Sequence, residues 1–443
     1  MRCRISGIMT GRLKENNNKE RTPHYSSFNH FYFWQYPICK QMGYVWGMNM
    51  INLYTNKENC CGCTACLNIC PKKSITMEKD KEGFLYPAID SESCNECGAC
   101  VRVCPFHKKK FEEKIPKNQA VYALRHPEKS VLKKSTSGGA FTIISDYVLD
   151  QGGVVYGAVF NDRFEVIHSK ATDKKQRDQM RGSKYVQSDL GIIFKEIKNT
   201  LESGKTVLFT GTPCQNDGLK SYLKKEYSGL ILCDIACHGV PSPEVWTDYK
   251  SYLEEKYNDT IKEVNFRCKD TGWRNSSLKV EFTKRSHIKN MQEDPFYILF
   301  FSHLILRPSC HECIYASYHR VTDLTLADFW GIEKSNQAFQ DDNGVSLVLA
   351  NTKKGKDLIE AVRNSAEIIE SSHDEFYQPI FEIPSKISPK RKVFWEEYVS
   401  KGKIDVLLKF GKLTPAQWVI KKIAVPILKK TGLYHVIIKA YFK

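Results

Sequence analysis

CCGCTACLNICP, residues 60–71, and CNECGACVRVCP, residues 94–105, are two copies of one pattern. Cys60, Cys63, Cys66 and Cys70 precede Pro71 as C-x2-C-x2-C-x3-C-P. Cys94, Cys97, Cys100 and Cys104 repeat it before Pro105, every cysteine displaced by the same 34 residues. Three thiolates at every third residue wrap one corner of an iron–sulfur cubane while loop N–H groups point at its sulfurs, and the fourth cysteine crosses to the other cubane. That rule predicts Cys60, Cys63, Cys66 and Cys104 on one [4Fe-4S] centre, with Cys94, Cys97, Cys100 and Cys70 on the second.

The doubled pattern is that of a two-cluster ferredoxin. Each proline after a fourth cysteine turns the chain away, because it cannot donate to a helix. Small residues (Gly62, Ala65, Gly98, Ala99) let the backbone lie close to a cluster. C-x2-C pairs also build zinc ribbons, but two complete repeats ending in Cys-Pro point to iron and sulfide. Cys61 falls outside the spacing and is read as a bystander.

A chain of 443 residues, 42% hydrophobic, implies two or three soluble globular domains, with no apolar run long enough to span a bilayer. Seventeen cysteines suit a disulfide scaffold only in a short chain behind a signal peptide. Residues 1–50 show no charged segment followed by an apolar one. Cluster thiolates must stay reduced, so the expected compartment is the cytoplasm. The net charge of +16 is concentrated at the ends, since residues 51–385 carry 45 basic and 45 acidic residues. A neutral body has no electrostatic footprint for nucleic acid, and none is expected as a partner.

Residues 1–50 are polar and then aromatic without a sustained period. They are read as a disordered arm or as an extension ahead of a true start at Met48 or Met50. Residues 51–106 form the small α+β ferredoxin domain, with a hairpin around Lys79-Asp80-Lys81-Glu82-Gly83. The charged stretch 107–119 reads as a linker. Strands and helices then alternate through 120–385, which predicts an α/β domain with a mixed sheet. Predicted strands include 154–160, 206–210, 229–235, 278–283 and 323–328, and predicted helices include 139–150, 215–225 and 243–256. Residues 386–443 are a basic amphipathic tail. It either lies on an anionic membrane surface, at the inner face, or packs on the body.

Two turns in the α/β domain carry chemistry. Ser135-Thr136-Ser137-Gly138-Gly139 opens a helix whose free N–H groups either hold a phosphate or form a plain cap. Thr210-Gly211-Thr212-Pro213-Cys214-Gln215 follows a strand, at the carboxyl edge where open α/β sheets bind ligands. Cys214, Cys237, Cys310 and Cys313 form a later group with three readings: a third [4Fe-4S] cluster, zinc, or buried free thiols. Cys233 and Cys268 read as packed thiols. His238 and His311 flank the group.

Over roughly residues 57–365 the chain resembles the coenzyme F-420 hydrogenase/dehydrogenase beta-subunit family, in the form with a fused ferredoxin domain. The resemblance rests on the ordered blocks STSGGAF (135–141), RGSKYVQS (181–188), FTGTPCQ (209–215), CHGVPSP (237–243), FRCKDTGW (266–273), CHECIYA (310–316) and ADFWGI (327–332). It implies an oxidoreductase containing FAD and iron–sulfur clusters, with Cys214, Cys237, Cys310 and Cys313 as ligands of a third cluster. Ser137, Gly138, Gly139, Lys184, Tyr185, Thr210, Gly211, Thr212 and Gln215 are implied as the flavin-site lining. The implied partner is a redox protein or a small hydride carrier such as a deazaflavin. Relatives associated with surface polysaccharides suggest a second reading, a reductase of a glycan precursor or small metabolite. A third is an electron-relay subunit without its own substrate.

Overall fold

Apolar side chains in the central strands alternate in register, and the alternation assigns each strand two faces. Val155, Leu208 and Ile231 join one buried cluster, whereas Val154, Tyr156, Val207, Phe209, Leu230 and Leu232 join another. A sheet buried on both sides needs helices on both, and the intervening segments supply them. The computed structural model describes residues 51–107, 116–339, 342–376 and 378–413. The N-terminal extension, most of the linker and the strongly basic part of the tail lie outside these residues.

The first strands, β1 (Ile75–Lys79) and β2 (Leu85–Ile89), form the expected antiparallel hairpin. Asp80 closes its turn by accepting the Glu82 and Phe84 N–H groups at 3.0 and 2.9 Å. Gly83 completes it with φ of +80° and sits so close to the following domain that a Cβ there would lie 2.2 Å from Glu244 Cβ. Short helices Ala65–Ile69 and Ala99–Val103 follow the cysteine loops.

The strands of the larger domain are β3 (Ala120–Arg125), β4 (Val154–Phe160), β5 (Val166–Ala171), β6 (Val207–Gly211), β7 (Leu230–Ile235), β8 (Ile261–Cys268), β9 (Ser277–Phe282), β10 (Ser286–Asn290), β11 (Leu324–Asp328), β12 (Ser346–Ala350) and β13 (Glu367–Ser371). Eight of them make a mixed sheet in the order β13-β3-β12-β11-β7-β6-β4-β5, parallel through β11, β7, β6 and β4 and antiparallel at the flanks. The remaining three form a separate antiparallel sheet, β10-β9-β8. Helices Ala140–Asp150 and Lys353–Ala361 cover one face of the large sheet, and Ile193–Glu202 and Pro213–Leu223 cover the other.

The small domain packs on the second of these faces. Cys61, Cys63, Ala65 and Val103 share a core with Phe194, Leu219 and Phe209. Helices Arg391–Ser400 and Lys403–Phe410 bury Phe394, Trp395, Tyr398 and Leu407 against the small sheet's cluster, so the start of the tail is built into the body. Arg391 clamps Glu82 of the hairpin with both terminal nitrogens and donates to the Leu306 carbonyl at 3.0 Å. No described helix is long and apolar enough to cross a membrane.

Three cysteine groups and a cavity

Backbone turns bring the cysteines together before any side-chain argument is needed. The two ferredoxin loops each leave a left-handed residue, Thr64 and Gly98, before their helix, so that the third cysteine turns back toward the first two. Cys60, Cys63, Cys66 and Cys104 end up as neighbours. Burial pushes the Cys104 thiol up to about 11, and Cys63 and Cys60 beside it act in the same direction. Burial likewise pushes Cys66 well above the usual thiol range, with Cys63, Cys60 and Cys104 adding to it.

Cys70, Cys94, Cys97 and Cys100 line a second small void with Ile51, Ile75 and Ile89. The Glu96 N–H points at Cys94 Sγ at 3.4 Å, and Cys97 is exposed. Both groupings pair each loop's first three cysteines with the fourth of the other.

The third group is assembled by the α/β domain. Thr212 starts the helix Pro213–Leu223 with a reciprocal cap, its N–H bonded to Gln215 Oε1 at 2.9 Å, and Pro213 holds the first turn. That places Cys214 at the helix N-terminus. Cys237 leaves the carboxyl end of β7, while Cys310 and Cys313 come from the one-turn helix Pro308–Glu312 and the residue after it. All four line one cavity, and Cys61 lines it too. The Val240 N–H points at Cys310 Sγ at 3.4 Å. Burial pushes Cys310 up to about 12 and Cys313 up to about 11.

Cys61 is thus no isolated thiol. It is buried, hydrogen-bonded to both Cys63 and Cys214, and its hydrogen bond holds the Cys214 thiol below its ordinary range. Cys233 and Cys268 are buried in strands β7 and β8.

Buried thiols crowded with other thiols ionise readily only when a cation compensates them. Among the described residues no three His, Cys, Asp or Glu side chains converge as one ion requires. The thiols instead surround voids, as the separate corners of a cubane demand, so the donor sets fit clusters.

Beside the third group lies a cavity of about 1170 Å³ at the carboxyl ends of β6, β7 and β11. Ser137, Gly139, Lys184, Tyr185, Thr210, Gly211, Thr212 and Gln215 line it. Gly138 does not, because it packs under the turn, where a Cβ would meet the Leu124 carbonyl at 2.3 Å. The helix opened by that turn, Ala140–Asp150, has no side-chain cap. Lys184 donates to the carbonyls of Gln179, Arg181 and Gly182 at 3.0, 3.0 and 3.2 Å, while burial pushes its ammonium down to about 7. His168, buried, meets the Thr210 carbonyl at 2.9 Å, and burial pushes its ring down to about 4. Trp273 and Trp330 stack at 4.6 Å on another wall, with Trp273 Nε1 donating to Asp328 at 2.7 Å. His238 faces both cavities and meets His303 at 2.9 Å. His311 meets the Ser385 carbonyl at 2.9 Å. Trp273 and Trp330 belong to sequence blocks already singled out, whereas His168 had no such signal.

Cysteine groups of this spacing, joined to an α/β lobe with a large cavity, define an iron–sulfur electron-transfer oxidoreductase. More particularly, residues 204–375 belong to the family described as the C-terminal part of the coenzyme F420 hydrogenase/dehydrogenase beta subunit, and residues 59–108 to the 4Fe-4S dicluster domain. A chain from the xenon-derivatised F420-reducing [NiFe] hydrogenase complex of Methanosarcina barkeri is 18% identical, with 66% of this chain and 90% of that one covered and a TM-score of 0.41. No curated protein matches the chain.

Proposed function

We propose that the protein carries electrons one at a time through three [4Fe-4S] clusters to an FAD in the large cavity, and passes them on in pairs as hydride. The observation that supports this reading is contiguity. Cys61 touches Cys63 of the first ferredoxin group and Cys214 of the third, and Cys237 and His238 line both the third group's cavity and the large one. The ligand sets are Cys60, Cys63, Cys66 and Cys104; Cys94, Cys97, Cys100 and Cys70; and Cys214, Cys237, Cys310 and Cys313. The exposed position of Cys97 makes the second set the entry point for a low-potential one-electron donor.

Clusters exchange single electrons and nicotinamides or deazaflavins exchange hydride, so a flavin belongs between them. The cavity suits one. At about 1170 Å³ it exceeds the roughly 300–1,000 Å³ of a single small-molecule site. It therefore has room for an isoalloxazine and a second ring system, a deazaflavin or another hydride acceptor. The uncapped N-terminus of Ala140–Asp150 offers its N–H groups to the pyrophosphate.

Lys184 adds a charge that depends on pH. Its ammonium is favoured below about pH 7 and lost above it, so affinity for FAD is expected to fall as pH rises from 6 to 9. One coupled proton allows a fall of up to about tenfold per pH unit. Fluorescence titration of flavin-stripped protein should show that slope, and Lys184→Met should flatten it. A slope unchanged in the variant would remove Lys184 from the site. The reading as a whole is tested by flavin release from anaerobically purified protein; a preparation yielding no flavin after reconstitution with FAD would refute it.

A further inference from the structure

Arg307 is fully buried, yet among the described residues no carboxylate lies within ion-pair distance of it. The other buried arginines do not share this. Arg177 faces Asp146 and Asp178, Arg267 faces Asp328, and Arg391 faces Glu82. An uncompensated buried cation is costly enough that native structures pair it. The partners of Arg307 are instead the first ferredoxin loop and its surroundings. Nε donates to the Cys60 carbonyl at 2.8 Å, and Nη2 donates to the Leu85 carbonyl at 3.0 Å and points at Cys60 Sγ at 3.7 Å. Nη1 donates to Gln187 Oε1 at 3.0 Å, while the guanidinium lies 4.1 Å from the Tyr86 ring centroid.

The loop is shaped for this contact. Gly62 has φ of +70°, and a Cβ there would stand 2.9 Å from Arg307 Nη1. From the other side, the Cys310 N–H donates to the Arg307 carbonyl at 2.9 Å, so the cation sits between the first ferredoxin group and the third. Arg307 touches none of Cys70, Cys94, Cys97 and Cys100.

We propose that Arg307 is the counter-charge of the inner ferredoxin cluster, raising its reduction potential above that of the outer one so that electrons move inward. A cubane held by four thiolates is a net anion that becomes more negative on reduction. Its potential follows net charge, sulfur hydrogen bonds and burial. A fixed guanidinium at one cluster and not at the other favours the reduced state of the first alone. The step it biases transfers one electron, the outer centre being oxidised as the inner is reduced. No proton is required, because arginine stays charged throughout. The inference rests on the ferredoxin ligand sets above and not on the flavin.

The test is an EPR-monitored redox titration of the full-length, anaerobically purified protein, with iron counted in each sample. Arg307→Gln keeps donors and removes the charge, and Gln187→Glu leaves the arginine in place and sets a carboxylate against it. Both are expected to lower the inner midpoint and leave the outer one where it was, whereas Arg307→Lys is expected to keep the wild-type order. Should Arg307→Gln fail to load clusters, Gln187→Glu decides alone. A wild-type inner midpoint in cluster-loaded Gln187→Glu protein would overturn the proposal, as would equal shifts of both centres. Absence of flavin from these samples would count against the proposed function and leave the ferredoxin potentials measurable.

Discussion

Cys237→Ser protein is expected to lose about four iron atoms per chain, the content of one cubane, and to lose electron passage between the ferredoxin domain and the large cavity. Cys237 ends β7 and is the cysteine that lines both the third group's cavity and the large one together with His238. Its neighbours in the group are Cys310, Cys214 and Cys313, which burial and mutual proximity hold in the protonated form unless a cation binds. Serine is a poor replacement for a thiolate ligand of iron, so the third set should not hold its cluster. The ferredoxin sets lie in a different part of the chain and should keep theirs. The variant should then bleach on adding dithionite as the ferredoxin centres reduce, while flavin bound in the cavity lags behind. Iron analysis with stopped-flow spectroscopy reads both outcomes. A full iron count, or flavin reduction at the wild-type rate, would show that the third group is not part of the path.

Trp246→Ala should be the most destabilising change in the hydrophobic core, costing about 3–5 kcal/mol. Trp246 is buried on the helix Pro243–Tyr257, with its ring 4.9 Å from that of Phe266 and 5.4 Å from Phe296, and its Nε1 donates to the Phe164 carbonyl at 2.8 Å. Truncation opens a void among large rings that cannot collapse, and it orphans a buried carbonyl. The damage should reach the cavity, because Tyr185 on its wall packs edge-on against Phe266 at 5.9 Å. Lower resistance to urea and weaker flavin retention should therefore appear together. Unfolding at the wild-type urea concentration would mean that this aromatic cluster does not hold the lobe.

Much of this architecture was legible in the chain because it is local. The strand at 154–160 and the helix starting at Pro243 follow from apolar period, a proline at the first turn and an N-cap serine, Ser242, that accepts from Val245. Repeated C-x2-C spacing likewise implies cross-pairing of the two loops, and that is how the structure groups them. What depends on distant partners was not legible. β8 and β9 read as strands, but nothing in their pattern says that they leave the main sheet and pair with β10. β13 is a half-exposed edge strand whose Glu367, Glu370 and Ser371 dilute any alternation. Cys61 looks out of place in its spacing, and only docking of the small domain brings it against Cys214. Arg307 stands 247 positions from Cys60, the residue it serves. Its distinguishing property, the lack of a carboxylate, exists only in the folded state. The flavin-site turns were recognisable from their blocks, yet Gly138 faces the sheet, a difference of one position that motif spacing does not resolve.

Anaerobic purification of the full chain, followed by iron, sulfide and flavin analysis with EPR of the reduced protein, tests the central claim most directly. The account predicts a brown protein with about twelve iron and twelve sulfide per chain, one flavin, and signals from interacting cubanes. A colourless protein that holds zinc in place of iron would contradict it.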